Sequence, residues 1–356
     1  MQLKQSGLPF TKVLLIDRDE KNKNDRTWCF WSKEKNTWYE SAISKRWNKF
    51  RVKSKYNEVN CELGDYHYQL IQGKDFYTFC LNTLKKDSRF EFVYQPILHL
   101  GSNPSKAFVE TEAFVYTAKY VFNSAFRDLQ LQKGQLHYVQ HFKGWMVETE
   151  KPVFDDERPV FMDFSVEQQG DCRFVYVIPF SKTKALVEYT GFSPKALATE
   201  TYDEELRAYL KREYNLARYK VLEVETGQIP MSNGLFVNPY GERVVNIGTA
   251  GGSSKPSTGY TFYFIQRHIA QLVQRLIRNQ TPLYGLREAR YSFYDSLLLR
   301  VIDKKSIEPA RLFSGLFENS RIEDLLAFLN EESTLMQDFR IMNSVKRGPF
   351  IAALFR

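Results

Sequence analysis

The sequence predicts an α/β fold in which a mainly parallel sheet is interleaved with an antiparallel one. A short apolar strand, residues 13–16, stops at the charged pair Asp17 and Arg18, as a buried parallel strand does at its carboxyl end. A second strand, residues 244–247, enters a glycine-rich loop and then a long helix. Between them, residues 138–192 form four apolar segments separated by turn residues, a spacing that predicts antiparallel strands.

The strand that ends at Asp17 is typical of a dinucleotide-binding fold. In that fold an acidic residue at the end of the second strand binds ribose, and a glycine loop after the first strand holds the pyrophosphate. Only residues 1–12 precede this strand, too few for a strand, a glycine turn and a helix. We therefore expect the first strand and its loop to be missing, through truncation or a late start codon. The two neighbouring strands would then lack a shared partner, and cofactor binding would be weak.

Periodicity predicts the other elements in chain order. Alternation at Tyr66, Tyr68 and Leu70 predicts a strand, and an amphipathic helix that ends in lysines follows over residues 73–86. Strands are expected at residues 90–94 and in a meander over residues 107–125. The next helix is expected to open with Thr201 as its N-cap, and the chain is mostly helical after residue 260.

Composition limits the classes of function. The chain has 356 residues, 43% of them hydrophobic, so it can bury a sizeable core. The net charge of +8 favours anionic partners such as phosphate-bearing cofactors or acidic lipids. Basic residues do not cluster with aromatic ones, which argues against nucleic acid. The four cysteines are scattered without a CxxC pair, so we expect neither a metal site nor disulfides, and a reducing cytosol. Apolar runs are far shorter than the about 20 residues that span a bilayer, which predicts a soluble or peripheral protein.

The loop at residues 248–259 is the strongest candidate for a cofactor site. Glycines at a strand-to-helix turn let backbone N–H groups approach a phosphate or a flavin, and a helix N-terminus favours anions. An ordinary Gly/Ser-rich surface loop is the alternative. The residues concerned are Gly248, Gly251, Gly252, Pro256 and Gly259.

Four segments follow one another along essentially the whole chain: LLIDRD…NDRTWCFW, MDFSVEQ…FVYVIPFSKTKALVEYTGFS, ETGQIPM and VVNIGTAGGSSKPSTGYTF. Together they resemble the bacterial lycopene β-cyclases. The resemblance implies a flavoprotein of the aromatic-hydroxylase and geranylgeranyl-reductase type, in which an antiparallel substrate-binding sheet interrupts a Rossmann-like domain. We expect residues 1–55, 73–135 and 225–280 in the flavin-binding domain, residues 56–72 and 136–224 in the substrate-binding domain, and residues 281–356 in a C-terminal helical region.

The resemblance also implies the chemistry. Family members close a ring at each ψ-end of lycopene without net redox change, giving the β-ionone rings of β-carotene. They require reduced FAD, with NADPH or NADH as the reductant, and the implied location is cytoplasmic, with peripheral contact to a membrane. The resemblance implies that Asp17 and Arg18 meet the adenosine ribose, and that Gly248, Gly251, Gly252, Pro256 and Gly259 contact the flavin.

Glu188 is the candidate acid. Protonating an alkene needs a carboxylic acid that stays neutral near pH 7, which burial among apolar side chains achieves. Glu188 shares a strand face with Leu186 and Thr190, and it occupies the position of the family's catalytic glutamate in its E-x-T motif. An outward-facing strand carboxylate is the alternative. Asp163, also in the middle of a strand, is expected to orient or assist the acid.

Two other acidic segments are weaker candidates. FLNEES, residues 328–333, resembles a motif of the plant cyclases but lies well beyond the glycine loop, so we expect Glu331 and Glu332 to be solvated or helix-capping acids. The segment GQIPM, residues 227–231, resembles the family's connection from the substrate sheet back to the flavin domain. We assign no chemical role to Glu225, which precedes it.

Membrane contact is expected at residues 291–303 and 345–356, where Phe, Tyr and Leu combine with Arg and Lys as in an interfacial helix.

Two alternative functions remain. A flavin-dependent monooxygenase or prenyl reductase of the same fold would transfer oxygen or hydride to its substrate. A truncated, inactive lipid-surface-binding protein would bind anionic liposomes in a salt-sensitive way without flavin.

Overall fold

The structure, a computed structural model, describes residues 1–125, 132–234, 236, 238–285 and 287–355. Its strands are β1 (Val13–Asp17), β2 (Thr27–Ser32), β3 (Lys45–Trp47), β4 (Lys49–Lys53), β5 (Glu58–Glu62), β6 (His67–Gln72), β7 (Phe90–Tyr94), β8 (Ile97–Ser102), β9 (Ala107–Thr111), β10 (Val115–Ala118), β11 (Val121–Asn123), β12 (His137–Glu148), β13 (Val160–Asp163), β14 (Cys172–Ser181), β15 (Lys184–Ser193), β16 (Lys220–Ser232) and β17 (Val244–Asn246). Its helices are α1 (Gln2–Gln5), α2 (Gly73–Leu84), α3 (Thr199–Tyr214), α4 (Phe262–Ile277), α5 (Ala289–Asp303), α6 (Pro309–Asn319), α7 (Ile322–Leu329), α8 (Leu335–Asn343) and α9 (Arg347–Leu354).

The largest sheet has seven strands in the order β16-β12-β15-β14-β13-β4-β5. Its neighbours are antiparallel except β13 and β4, which are parallel. The four segments predicted over residues 138–192 are β12 to β15, so that prediction is confirmed. The sheet also includes β4 and extends to Ser232 in β16, beyond the limits we expected for a substrate-binding domain. Strand β6, which we placed in that domain, pairs instead with β2 and β3.

The two faces of this sheet are covered by different parts of the chain. Because side chains alternate along a strand, Val187 of β15 packs on one face in the same core as Leu206 of α3. Leu186 and Phe192 lie on the opposite face, where Phe313 of α6 packs against Phe192 with 6.0 Å between the ring centres. The site residues described below therefore belong to one or the other of two separate cores.

The parallel strands form two pairs. Strand β1 pairs with β7, and β11 pairs with β17. The predicted strands at residues 13–16 and 90–94 are thus confirmed. Of the predicted meander, β9 and β10 join β8 in an antiparallel sheet, whereas β11 leaves it to pair with β17. Within the described ranges these four parallel strands remain in two separate two-stranded sheets.

The helices agree with the periodicity, with one error at a helix start. The predicted amphipathic helix is α2, and the chain after residue 260 is mostly helical as expected. Helix α3 begins at Thr199 with Ala198 as its N-cap, so the prediction that Thr201 caps it is wrong. Thr201 lies inside the first turn of the helix. Among the helices described, none combines the length and apolarity that crossing a membrane demands.

Candidate active site

Glu188 lies in the middle of β15 and is only 9% exposed. Its register partners are Gly144 in β12 and Tyr176 in β14. Thr190 donates its hydroxyl to Glu188 Oε1 at 3.1 Å. The buried strand position that period-2 alternation indicated is therefore present, and the threonine of the E-x-T segment holds the carboxyl group directly.

A second carboxyl group, that of Glu225 in β16, meets Glu188 across the sheet. Gly144 is the register partner of both residues, because β12 lies between β15 and β16. A Cβ atom on Gly144 would lie 3.3 Å from Glu188 Cβ and 3.2 Å from Glu225 Cγ. The missing side chain thus leaves the space in which the two carboxyl groups form a hydrogen bond. Thr27 of β2 donates to Glu225 Oε2 at 2.8 Å.

Burial and charge place the proton of this pair on Glu188. Burial raises the pKa of Glu188 well above its ordinary value of 4.5, and the neighbouring Glu225 raises this pKa further. Burial also raises the pKa of Glu225, but the hydrogen bonds from Glu188 and Thr27 lower it. The Glu188 O–H therefore donates to the Glu225 carboxylate. This arrangement keeps Glu188 neutral at a pH where an exposed glutamate is ionised.

Three tyrosines and a cysteine line the same side of the sheet as Glu188. Tyr176 interacts with Glu188, Tyr260 and Cys29, and Cys29 is hydrogen-bonded to Tyr68. Burial raises the pKa of each of these four side chains, so they are uncharged near neutral pH. Because Tyr260 directly follows the glycine loop, the end of that loop belongs to the same cluster as the buried acid.

The structure does not bring Asp163 to Glu188. Asp163 is fully buried at the end of β13 and faces α3, where Tyr209 donates to its carboxylate at 2.8 Å. Lys53 Nζ lies 3.2 Å from the same carboxylate oxygen, and the Ser165 backbone N–H donates to the other at 2.9 Å. Glu188 points to the opposite side of the sheet. The expectation that Asp163 assists the acid is therefore corrected: its contacts tie β13 to α3 and β4.

Asp17 and Arg18 stand at the carboxyl end of β1. The Asp17 carboxylate accepts a hydrogen bond from the Asp19 backbone N–H at 3.0 Å and pairs with Lys21 at 3.2 Å. The Asp17 side chain is still 45% exposed, and Arg18 is exposed. The strand end therefore presents an accessible carboxylate that can accept hydrogen bonds from a ligand hydroxyl.

The glycine loop leaves space beside its first residue, Gly248, whose own N–H donates to the Tyr284 hydroxyl at 2.9 Å. Residues Gly248–Gly251 form a 3-10 turn, and φ is +62° at Gly248 and +77° at Gly252, values that residues with a side chain rarely adopt. A Cβ atom on Gly248 would have no other atom within 4 Å, so there is free space in front of its backbone. Helix α4 starts only at Phe262, so its N-terminus does not follow the 3-10 turn directly.

Two later glycines of the loop are required by packing within the protein. A Cβ atom on Gly251 would lie 2.5 Å from Tyr284 Cδ1, and one on Gly259 would lie 1.8 Å from Gln140 Oε1. Gly259 thus lets the loop approach β12 closely. The resemblance implied flavin contact for all the loop glycines, which stays a prediction, and the geometry gives Gly251 and Gly259 a packing role as well.

A buried cluster of four charges fixes the middle of the loop. Lys255 Nζ lies 2.8 Å from Asp295 Oδ1 and 3.0 Å from Glu331 Oε1, and Arg287 Nη1 lies within 3.6 Å of both acids. All four side chains are at most 9% exposed. Asp295 belongs to α5, and Glu331 follows α7. The cluster therefore connects the loop to the C-terminal helices.

This cluster overturns one expectation about FLNEES. Glu331 is neither solvated nor capping, because it is buried against Lys255. Glu332 is exposed and accepts a hydrogen bond from the Tyr263 hydroxyl. Pro256, expected at the flavin, directly follows Lys255 and lies partly buried beside the charge cluster.

Sequence reasoning missed Glu225 and Gly144. The segment around Glu225 suggested a connecting loop because it contains Gly227 and Pro230, yet it is the 13-residue edge strand β16. Alternation of Glu223 and Glu225 was the available signal for a strand. The sequence contains no signal that sets Gly144 between two glutamates from distant segments.

Comparisons with known proteins identify a family. Residues 4–354 match the family described as lycopene cyclase protein. The lycopene beta-cyclase of a Paracoccus species is 28% identical over 182 residues, which are 46% of this chain and 45% of that protein. The chloroplastic lycopene beta cyclase of Arabidopsis thaliana is 31% identical over 129 residues, 33% of this chain and 25% of that protein. The matched part spans less than half the length of either relative.

Solved structures share the fold. A geranylgeranyl bacteriochlorophyll reductase-like protein from Thermoplasma acidophilum has a TM-score of 0.57 at 13% identity, covering 99% of this chain and 93% of that one. A flavoprotein/dehydrogenase from Cytophaga hutchinsonii gives 0.58 at 11% identity, covering 97% and 95%. The halogenase PltM, solved with phloroglucinol and FAD, gives 0.53 at 15% identity, covering 99% and 82%. The chain thus has the mixed α/β fold of Rossmann-type flavoproteins.

Proposed function

Because the chain belongs to the lycopene cyclase protein family, we propose that it is a lycopene β-cyclase that closes the ψ-ends of lycopene into β-ionone rings. The observation that carries this proposal is the Glu188 carboxyl, buried, hydrogen-bonded and raised in pKa. An alkene is a weak base, and only a neutral acid held close to it in a water-poor site can protonate it. The reaction is an isomerisation, since lycopene and its cyclic product have the same composition.

The chemistry assigned to Glu188 is proton donation. Its O–H transfers a proton to the terminal double bond of the ψ-end and leaves a tertiary cation. The internal alkene attacks this cation, and loss of a proton from the adjacent ring carbon completes the β-ring. No electrons leave or enter the substrate, so the steps balance with one proton gained and one lost for each ring.

The tyrosines beside Glu188 suit a cationic intermediate. The faces of aromatic rings attract cations, and this attraction is stronger where water is excluded. Tyr68, Tyr176 and Tyr260 are uncharged and belong to the cluster around the acid. We assign them the role of stabilising the positive charge between protonation and ring closure.

The cofactor that we propose is FAD in its reduced form, with NADPH or NADH as the reductant. Two observations support the fit: Asp17 offers an accessible carboxylate at the end of β1, and Gly248 has free space in front of its backbone. Asp17 would accept hydrogen bonds from the ribose, and the turn at Gly248 would lie against the flavin. Bound reduced flavin supplies negative charge that favours a nearby cation.

We propose peripheral contact with a cytoplasmic membrane surface, where a C40 hydrocarbon resides. Helix α8 exposes Leu335, Met336 and Phe339 at 71%, 64% and 61%. Lys346 and Arg347 follow the helix and are exposed. An exposed apolar face next to basic residues is typical of a helix that lies in a lipid interface. We therefore propose α8 as the contact. It lies between the two segments that the sequence indicated, and α9 has further exposed apolar side chains.

Expression in cells that accumulate lycopene tests the proposal. We expect cyclic carotenoid from the wild-type chain and from Glu112→Gln, an exposed control, and only lycopene from Glu188→Gln. Wild-type amounts of cyclic product from Glu188→Gln, or products that gained oxygen or hydrogen, would refute the assignment.

A further inference from the structure

The Glu188 carboxyl group is paired with Glu225. Proton donation by Glu188 alone would not require this second carboxyl group. Glu188 is buried, whereas Glu225 is only partly buried on β16, the edge strand of the sheet. Glu225 also lines a small surface cavity together with Asn24, Glu223 and Leu186. The two carboxyl groups therefore join the inside of the sheet to its solvent-facing edge.

We propose that Glu225 is a positioning residue that keeps one shared proton on Glu188 and returns it from solvent after each ring closure. The catalytic part of this inference rests on the proposed function. The shared proton can be measured in the folded chain without any substrate. Gly144 leaves room for the hydrogen bond between the two carboxyl groups. Thr27 donates its hydroxyl to Glu225 Oε2 at 2.8 Å. Each of these features is specific to the pair.

The groups around Glu188 favour Glu225 as the route by which a proton moves from solvent to Glu188. On the inner side, Cys29 of β2, Tyr68 of β6, Tyr176 of β14 and Tyr260 of the loop face the acid and are uncharged near pH 7. On the outer side, the charges of Glu223 and Asp25 act on Glu225. Glu225 is the carboxyl that contacts both Glu188 and this acidic outer side.

The proton balance is closed for each ring. When Glu188 gives its proton to the alkene, two carboxylates stand side by side, and their repulsion makes the pair a stronger base. Glu225 then takes one proton from water and passes it to Glu188. The proton lost from the ring carbon goes to water. One proton enters and one leaves, so the pair returns to its starting state without any other reactant.

The test is an infrared titration of the carboxyl C=O stretch in the full chain, with the Glu188 band assigned by its loss in Glu188→Gln. In the wild type we expect this band to persist at neutral pH. In Glu225→Gln, removal of the neighbouring negative charge lowers the pKa of Glu188, so the band should disappear about 1 pH unit lower. The alkaline limb of kcat for cyclisation should move by the same amount, because activity needs protonated Glu188.

Two further variants separate the pair from general effects. Glu112→Gln removes an exposed acid between β9 and β10, in a different sheet, and should leave the Glu188 band where it is. Thr27→Val removes the donor to Glu225 and should move the ionisation of Glu225 to higher pH, a readout available if Glu225→Gln folds poorly. Unchanged titrations in both Glu225→Gln and Thr27→Val would overturn the inference. Shifted titrations in a protein that never cyclises lycopene would retain the shared proton and reject the proposed function.

Discussion

At the residue scale, the absence of a side chain at Gly144 matters as much as the acids. The two glutamates lie 37 positions apart in the chain, and they meet because the residue between them in the sheet has no Cβ. Burial by itself raises the pKa of Glu188, and the neighbouring Glu225 raises this pKa further. The acid is therefore a property of three adjacent strands.

Gly144→Ala should disturb this pair directly. The new Cβ would lie 2.9 Å from Leu186 Cδ1 and close to both glutamates, so the carboxyl groups must separate. We expect a loss of about 1–3 kcal/mol in the free energy of unfolding, typical of overpacking, together with a shift of the Glu188 ionisation to lower pH. Chemical denaturation and infrared spectra measure both. Gly315→Ala in α6, where the nearest atom is 3.8 Å away, is the control and should not lower stability.

Single-residue features were predictable only where they follow from local pattern. Alternation along β15 put Glu188 on the same face as Leu186 and Thr190, because one strand determines which face a side chain takes. The preference for a buried over an outward-facing position came from the resemblance to the family's E-x-T motif. The pairing with Glu225 was not predictable, because it depends on the order β16-β12-β15. Likewise, mid-strand position did not reveal that Asp163 faces α3.

At the element scale, the glycine loop is held in place by charge. Lys255 connects it to α5 and to the end of α7 through two buried carboxylates. Removing one member of such a cluster leaves the others buried without compensation, which is costly. The FLNEES segment therefore contributes an anchor for the loop.

Lys255→Met should lower the free energy of unfolding by about 3–5 kcal/mol, because Asp295 and Glu331 then lose their closest cation. The control is Lys12→Met, which removes an ion pair with Glu91 whose side chains are 56% and 51% exposed. That pair should contribute no more than about 1 kcal/mol. Urea denaturation of both variants decides the matter, and equal losses would contradict a structural role for the cluster.

Helix α8 should carry much of any membrane affinity. Replacing Met336 and Phe339 together by Glu puts two charges on its exposed apolar face, so sedimentation with anionic liposomes should fall several-fold. Phe114→Glu alters an equally exposed ring, at 64%, on the turn between β9 and β10 and should leave binding unchanged. Equal binding by all three proteins would remove α8 from the proposal.

Element types were more predictable than element roles. Apolar alternation located β12 to β15, and helical periodicity located α2 and the C-terminal helices. Strand β16 was missed because Gly227 and Pro230 are typical of loops, yet an edge strand tolerates both. Gly227 also makes room for the Phe142 ring, which a Cβ would meet at 2.2 Å.

At the scale of the whole molecule, two buried histidines set the response to acid. His141 bonds Ser193 Oγ at 2.8 Å and the Tyr202 hydroxyl at 2.7 Å, and burial lowers its pKa to about 4. Burial lowers the pKa of His268 to about 3. In both cases the folded protein binds a proton less readily than the unfolded chain, whose histidines titrate near 6.5.

The free energy of unfolding should therefore keep its full contribution from the neutral histidines above pH 6.5. As the pH drops from 6.5 towards 4, it should fall by up to about 1.4 kcal/mol per pH unit for each histidine. His141→Gln should make this dependence less steep, with His268 responsible for part of the remaining slope. The exposed His99→Gln is the control and should leave the slope unchanged. Denaturant titrations between pH 4 and 7.5 give the slopes, and a wild-type slope in His141→Gln would contradict the account.

The overall architecture was predictable from motif order, but the arrangement of the sheets was not. Strand β1 was predicted from the acidic residue at its end, and strand β17 from the glycine turn that follows it. Their pairing with β7 and β11, and the parallel contact of β13 with β4, depend on contacts between distant segments. Such contacts have no periodic signature in the chain.

The central claim is that Glu188 gives a proton to the substrate. The most direct measurement is the mass spectrum of the carotenoid formed from lycopene in deuterated water. We expect one deuterium in each new ring from the wild-type chain and no ring formation by Glu188→Gln. Rings without deuterium, or rings formed equally well by Glu188→Gln, would contradict it.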